Sequence, residues 1–326
     1  GIGLPYVWTS ETRPGPRSMP QRIRRLLTLL VVLMLPLPAA GQEIALLLTS
    51  RDGAYVEFLE ALGSGAEATG IELTDAGTAS GQIDEQALLL ADWVLAGGVA
   101  AAEAVLDLPG EAPLLVTLVS LTQYQALVKK YPNRHISAIV LDQPLSRQLA
   151  LLRKLMPECR SLGVLAGPQN ADRIGRLGLE ASDVGVRLVS ATVSTGGELN
   201  RAIERVLGEA DAFLALPDPL IATPMAARAI LLSSYRHRRP VFAYSRAYVE
   251  AGALAAVFST PADSARDALE WLVTAQERGT PPANSQWPKH FDLAVNAQVA
   301  RALNVAVPST STLLARLRAL EVQEEP

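Results

Sequence analysis

Two kinds of segment alternate along most of the chain. Short, nearly continuous apolar runs occur at IALLLTS (44–50), IELTDAG (71–77), DWVLAGG (92–98), PLLVTLVS (113–120) and ISAIVLD (136–142). Runs this short and this apolar, bounded by turn residues, predict strands buried on both faces of a parallel sheet. Between them lie patterns of helical period. In AYVEFLEALGSGAEATG (54–70), Val56, Leu59 and Leu62 recur at three-residue spacing and Gly70 suits the stop. Strands that alternate with helices predict βαβ units.

The pattern breaks near DQP (142–144) and then restarts. The amphipathic segment LSRQLALLRKLMP (145–157) leads into SLGVLAG (161–167). VRLVSATVS (186–194), DAFLALP (211–217), PVFAYS (240–245) and GALAAVF (252–258) supply further strands, separated by helical stretches. One helix, TPMAARAILLSSYRH (223–237), carries Thr223 as N-cap and Pro224 at its first turn. A helix at 264–279, a Pro-rich link at 280–282 and a strand FDLAVN (291–296) follow both halves and are expected to cross back between them. The expected class is α/β, with two Rossmann-like lobes of parallel sheet joined by a multi-stranded hinge. The lobes are expected at 42–143 plus 260–282 and at 144–259 plus 287–308, with a tail at 309–326.

The N-terminus changes the picture. Met19, Arg22, Arg24 and Arg25 precede LLTLLVVLMLPLPAAGQ, a basic region followed by an apolar stretch and small residues. That order predicts a signal peptide over 19–41, with cleavage after Gly41. Pro36 and Pro38 close an apolar core too short to span a bilayer comfortably, which argues against a membrane anchor. Residues 1–18 read as an upstream extension. The remaining chain is expected to be periplasmic and monomeric.

Composition excludes more than it selects. The 326 residues are 49% hydrophobic and 19% charged, with a net charge of −4. This is globular, with no electrostatic footprint for nucleic acid. The single cysteine, Cys159, allows no intramolecular disulfide and reads as a buried structural thiol. His135, His237 and His290 show no metal-ligand spacing, and no cofactor is expected. GxSxG, GxxxxGKS/T, HExxH and GxGxxG motifs are missing, so no enzyme is expected. The basic run YRHRR (235–239) closes a helix, where cations suit the dipole.

In parallel α/β sheets, ligands bind at the carboxyl ends of the strands. The polar residues expected there are Ser50, Tyr55, Gly98 and Ser120 in the first half, and Asn170, Asp218 and Tyr244 in the second. Each has a structural alternative: the serines and Asn170 can cap the helices that follow, Tyr244 can be a core aromatic, and Gly98 can serve a tight turn. Asp218 stands apart because Pro217 and Pro219 flank it at a strand end while Thr223 takes the cap. It reads as a rigid carboxylate for a ligand's ammonium or hydroxyl, whose removal would abolish binding and spare stability.

DAFLALPDPLI (211–221), RRPVFAYSRAYVEAGALAAVFS (238–259) and FDLAVNAQVARALNV (291–305) resemble the substrate-binding proteins of ABC transporters, in the tryptophan/tyrosine-type group. Pro217 and Asp218 stand near that group's Pro and Asp, and Asn170 near an Asn after the sixth strand; Pro219 stands where the group has Asn. In the first half, VTLVSLTQ replaces the group's Thr-Asp-Pro. The resemblance implies a type I periplasmic binding fold. It implies capture of a small polar, amino-acid-like ligand by hinge closure and delivery to an ABC permease. A sensor accessory, or an interaction protein of the same fold without a ligand, is the alternative.

Overall fold

In the computed structural model of the chain, residues 42–279, 281 and 283–319 are described. The expected signal peptide and upstream extension lie outside them.

The apolar runs form two six-stranded sheets of matching order. The N-lobe sheet contains β1 (Ile44–Leu48), β2 (Leu73–Thr78), β3 (Trp93–Gly97), β4 (Leu114–Val119), β5 (Ile136–Val140) and β11 (Ser285–Gln286), ordered β2-β1-β3-β4-β5-β11. The C-lobe sheet contains β6 (Ser161–Ala166), β7 (Arg187–Thr192), β8 (Ala212–Leu214), β9 (Val241–Ala243), β10 (Ala255–Phe258) and β12 (Asp292–Val295), ordered β7-β6-β8-β9-β10-β12. Neighbours pair in parallel, except that β12 runs antiparallel to β10. Strands β1, β3 and β5 are buried along their whole length, as their unbroken apolar runs require.

Helices cover the faces. In the N-lobe they are α1 (Ala54–Thr69), α2 (Glu85–Leu90), α3 (Val99–Leu106) and α4 (Leu121–Lys130). The C-lobe has α5 (Leu145–Leu155), α6 (Ala171–Asp183), α7 (Leu199–Glu209), α8 (Pro224–His237) and α9 (Arg246–Glu250). Helix α10 (Pro261–Arg278) returns to the N-lobe, where Ala265, Leu269 and Leu272 join Phe58, Leu62 and Leu95 in one core. Thr260 and Asp263 form a capping box at its start, with Pro261 in the first turn. Trp271 meets Trp93 edge-on, with centroids 5.9 Å apart. Helices α11 (Ala297–Ala302) and α12 (Thr310–Arg318) complete the C-lobe. Part of the expected tail is therefore α12, which buries Leu313 and Leu317 in the C-lobe core.

The chain passes between the sheets three times, after β5, after β10 and before β12. Arg147, at the start of α5, ties the passages together. Its Nη1 donates to Gln143 Oε1 (2.5 Å) and to the Pro288 carbonyl (3.1 Å), and its guanidinium lies 3.8 Å from the Phe291 ring centroid. Gln143 Nε2 donates to Ser259 Oγ (3.0 Å), which donates to the His290 carbonyl (2.8 Å). Burial pulls the Arg147 guanidinium down to about 10, with the charge of Asp267 opposing. On α10, buried Asp267 accepts from the backbone amides of Lys289 and His290 and contacts His290 Nδ1 at 2.5 Å. Burial raises this carboxyl above its usual range, against the pull of His290.

Candidate functional site between the lobes

The carboxyl ends of the two sheets face the helix N-termini that follow them, and several expected residues meet there. In the N-lobe, Gly98 sits at the end of β3 with φ +91°, a conformation that suits glycine. A Cβ there would lie 2.4 Å from Thr49 Oγ1 and 2.5 Å from the Tyr55 hydroxyl. Tyr55, Gly98 and Thr49 therefore form one tight contact across β1, β3 and the first turn of α1. Ser50 turns back to its own loop and donates to Asp52 Oδ1 (2.7 Å). Ser120 caps α4: its Oγ accepts from Gln123 N (3.2 Å) while Gln123 Oε1 accepts from Ser120 N (2.8 Å). Just before it, β4 and β5 shift register and Leu118 takes φ +58°, unusual for a side chain of that size.

In the C-lobe, Asp218 is 0% exposed. Its Oδ2 accepts from Gly167 N (2.8 Å) and from Asn170 Nδ2, and its Oδ1 accepts from Leu220 N (2.9 Å). Its own carbonyl accepts from the amides of Ile221 and Ala222. Pro217 and Pro219 flank this knuckle, and the carboxylate oxygens accept from the protein's own donors. Asp218 fixes the loop after β6 and aims Asn170, which accepts from Thr122 Oγ1 of the N-lobe through its Oδ1 (3.4 Å). The lobes touch at this point.

Tyr244 lies elsewhere. Its ring packs edge-on to Tyr248, with centroids 5.5 Å apart, and lines a groove of about 1240 Å³ whose walls belong entirely to the C-lobe. Leu231, Leu232 and Tyr235 of α8 form one wall, and Leu303 beyond α11 contributes to the other. Burial raises the Tyr244 and Tyr248 hydroxyls above the usual phenol range.

Sequence reasoning missed two residues here. Asp142, in the first passage between lobes, accepts from Leu121 N at the start of α4 (2.7 Å) through Oδ2, and from Arg173 Nη1 through Oδ1. Arg173 is only 6% exposed and sits in the first turn of α6. A cation at a helix N-terminus opposes the helix dipole, and that was the available signal.

The structure also brings Asp267, Glu270 and His290 together, with donor atoms within 4.8 Å of one another, though the histidine spacing gave no hint of it. Asp267 is committed to His290 and two backbone amides, and Glu270 lies between His290 and Lys289. This is a chain of close polar contacts at the crossing between the lobes. Cys159 is buried, and burial pushes its thiol up. Among the described residues, no helix is long and apolar enough to cross a membrane.

The chain matches the family described as ABC transporter substrate binding protein over residues 66–316, and it belongs to that family. Its fold is the type I periplasmic binding fold, two α/β lobes each built on a mostly parallel sheet. A conserved domain protein from Vibrio cholerae is similar at 22% identity and TM-score 0.56, covering 85% of this chain and 98% of its own. A ligand-free, open substrate-binding protein with adhesive properties from Clostridium difficile is similar at 20% identity and TM-score 0.62, covering 82% and 96%. An ABC domain from Streptococcus pneumonia in complex with L-Trp is similar at 17% identity and TM-score 0.56, covering 85% and 98%. No curated protein matches the sequence. The family implies a small-molecule ligand and an ABC permease as partner.

Proposed function

We propose that the protein is a periplasmic, monomeric solute-binding component that closes its lobes on a small polar, amino-acid-like ligand and presents it to an ABC permease. One observation carries the reading: the anchored Asn170 of the C-lobe meets Thr122 of the N-lobe where the carboxyl ends of both sheets come together. Strand ends and helix N-termini are where this architecture places ligands. The multi-stranded hinge, with Arg147 at its centre, allows rotation of one lobe against the other without loss of either core. A signal peptide over 19–41 would deliver the chain to the periplasm.

The test is a thermal-shift screen of the purified chain against amino acids, sugars, nucleosides and short peptides, with hits confirmed by calorimetry. A ligand at a hundred times its Kd stabilises the folded state by about 2.7 kcal/mol, which is a visible shift. Amino acids are expected to bind, and scattering is expected to report a single copy throughout. A hit confined to sugars would keep the binding role and overturn the ligand class.

A further inference from the structure

The groove beside Tyr244 takes no part in the contact between the lobes, since its walls belong to the C-lobe alone. One wall is the outer face of α8. Arg228, Leu231, Leu232 and Tyr235 stand at positions i, i+3, i+4 and i+7 of that helix and so share a face. Leu232 is 58% exposed and Tyr235 82%. The facing walls are small or apolar, with Ala247 and Ala251 at α9, and Ala302 and Leu303 at the end of α11. A single exposed apolar side chain is ordinary, but a cluster on the lip of an apolar groove marks an interaction surface.

Charge and backbone say what fits there. Among the described residues, three arginines line the groove, Arg228, Arg236 and Arg238, and no carboxylate does. Arg236 pairs with Glu204, whereas Arg228 and Arg238 have no acidic partner. The three are spread from the second turn of α8 to its C-cap, along a helix of about 21 Å. Cations spread over that length complement carboxylates placed along an elongated occupant better than one headgroup. No strand residue lines the groove, so an extended segment finds no sheet edge to pair with. A helix needs none, because it satisfies its own backbone groups.

We propose that this groove docks an acidic amphipathic helix of another protein. The apolar stripe of that helix packs on Leu231, Leu232 and Tyr235, and its carboxylates meet Arg228 and Arg238. Docking on one lobe leaves the other free to move, so the partner can stay bound whether the lobes are open or closed.

The experiment titrates the full chain, by calorimetry, with two synthetic amphipathic peptides as long as α8. Both carry leucines along one stripe; one has glutamates beside it and the other lysines. The glutamate peptide is expected to bind about tenfold more tightly or better, as two rim ion pairs set against two like-charge contacts imply. The preference is expected to shrink between about 0.1 M and about 1 M salt, where the screening length falls from about 10 Å to about 3 Å. Arg228→Glu combined with Arg238→Glu is expected to reverse it. Leu232→Ser combined with Tyr235→Ser is expected to weaken both peptides about tenfold. All four positions are on the surface, and melting temperatures are expected to hold. Equal binding of the two peptides at low salt, a preference that survives charge reversal, or no binding of either overturns the proposal. Two further probes serve the same end. Binding to phosphatidylglycerol vesicles in place of the peptides assigns the groove to lipid and overturns it. Self-association in sedimentation that disappears on charge reversal assigns the groove to a second copy and overturns it.

Discussion

The two lobes share one strand order and differ in how they finish its working edge. In the N-lobe the edge is shaped by packing and local capping. Gly98 lets Thr49 and Tyr55 close over β3, Ser50 bonds within its loop, and Ser120 caps α4. In the C-lobe it is shaped by buried polar groups that reach across the sequence. Asp218 joins the loops after β6 and β8, and Arg173 joins α6 to the hinge through Asp142. One topology therefore carries a rim finished by close packing and local polar caps on one side and a rim tied by buried, long-range polar contacts on the other. The fold sets where a site can lie, and the edge chemistry sets what it can hold.

The largest effect is expected at Asp218. Asp218→Ala leaves the amides of Gly167 and Leu220 and the side chain of Asn170 without their acceptor in a buried place. A stability loss of about 3–5 kcal/mol is expected, since each buried unsatisfied group costs about 1–3 kcal/mol. Chemical denaturation measures it. An unchanged midpoint with abolished ligand binding would restore Asp218 as a direct ligand group and erase the contrast between the lobes. Next comes Gly98→Ala. The added methyl meets Thr49 Oγ1 and the Tyr55 hydroxyl in a backbone conformation of positive φ, for an expected loss of about 2–3 kcal/mol. Tyr55→Phe in that background removes one of the two clashing oxygens and is expected to recover part of the loss. No recovery would mean that the backbone conformation, and not the packing, fixes this rim.

The apolar runs made most of the sheets legible, because a strand buried on both faces is written as an unbroken hydrophobic stretch. β11 was not legible: Ser285–Gln286 is two residues long and polar, and only its pairing with Ala138 and Ile139 makes it a strand. The candidate site was legible only where its contacts are local. Strand ends and caps can be read locally: Ser120 caps α4, whereas Asn170 makes no side-chain cap bond and is held by Asp218 instead. What Asp218 does could not be read, because two of its three side-chain partners lie 48 and 51 residues away along the chain. A carboxylate between two prolines has the same sequence whether it faces a ligand or closes a loop. Arg173 was hidden for a related reason: in ADRIGRLGLE it looks like one more polar position of an amphipathic helix.

The smallest effect is expected at Ser120, and it sharpens the contrast most directly. If the N-lobe edge is finished by capping, Ser120→Ala removes one acceptor from the start of α4 and costs about 1 kcal/mol. The loss is bounded because Asp142 independently holds Leu121 N, the neighbouring amide of the same turn. Adding Asp142→Asn should then cost more in the Ser120→Ala background than in the wild type, since two holds on one helix end are lost together. Denaturation of the two single variants and the double variant gives that coupling. Calorimetry on Ser120→Ala separates the roles of the hydroxyl. A cap leaves ligand affinity within about threefold, an effect under 1 kcal/mol, whereas a ligand contact lowers affinity without touching the midpoint. The first outcome leaves the Ser120 hydroxyl to the start of α4 alone. The second would give the N-lobe rim a direct share in ligand binding.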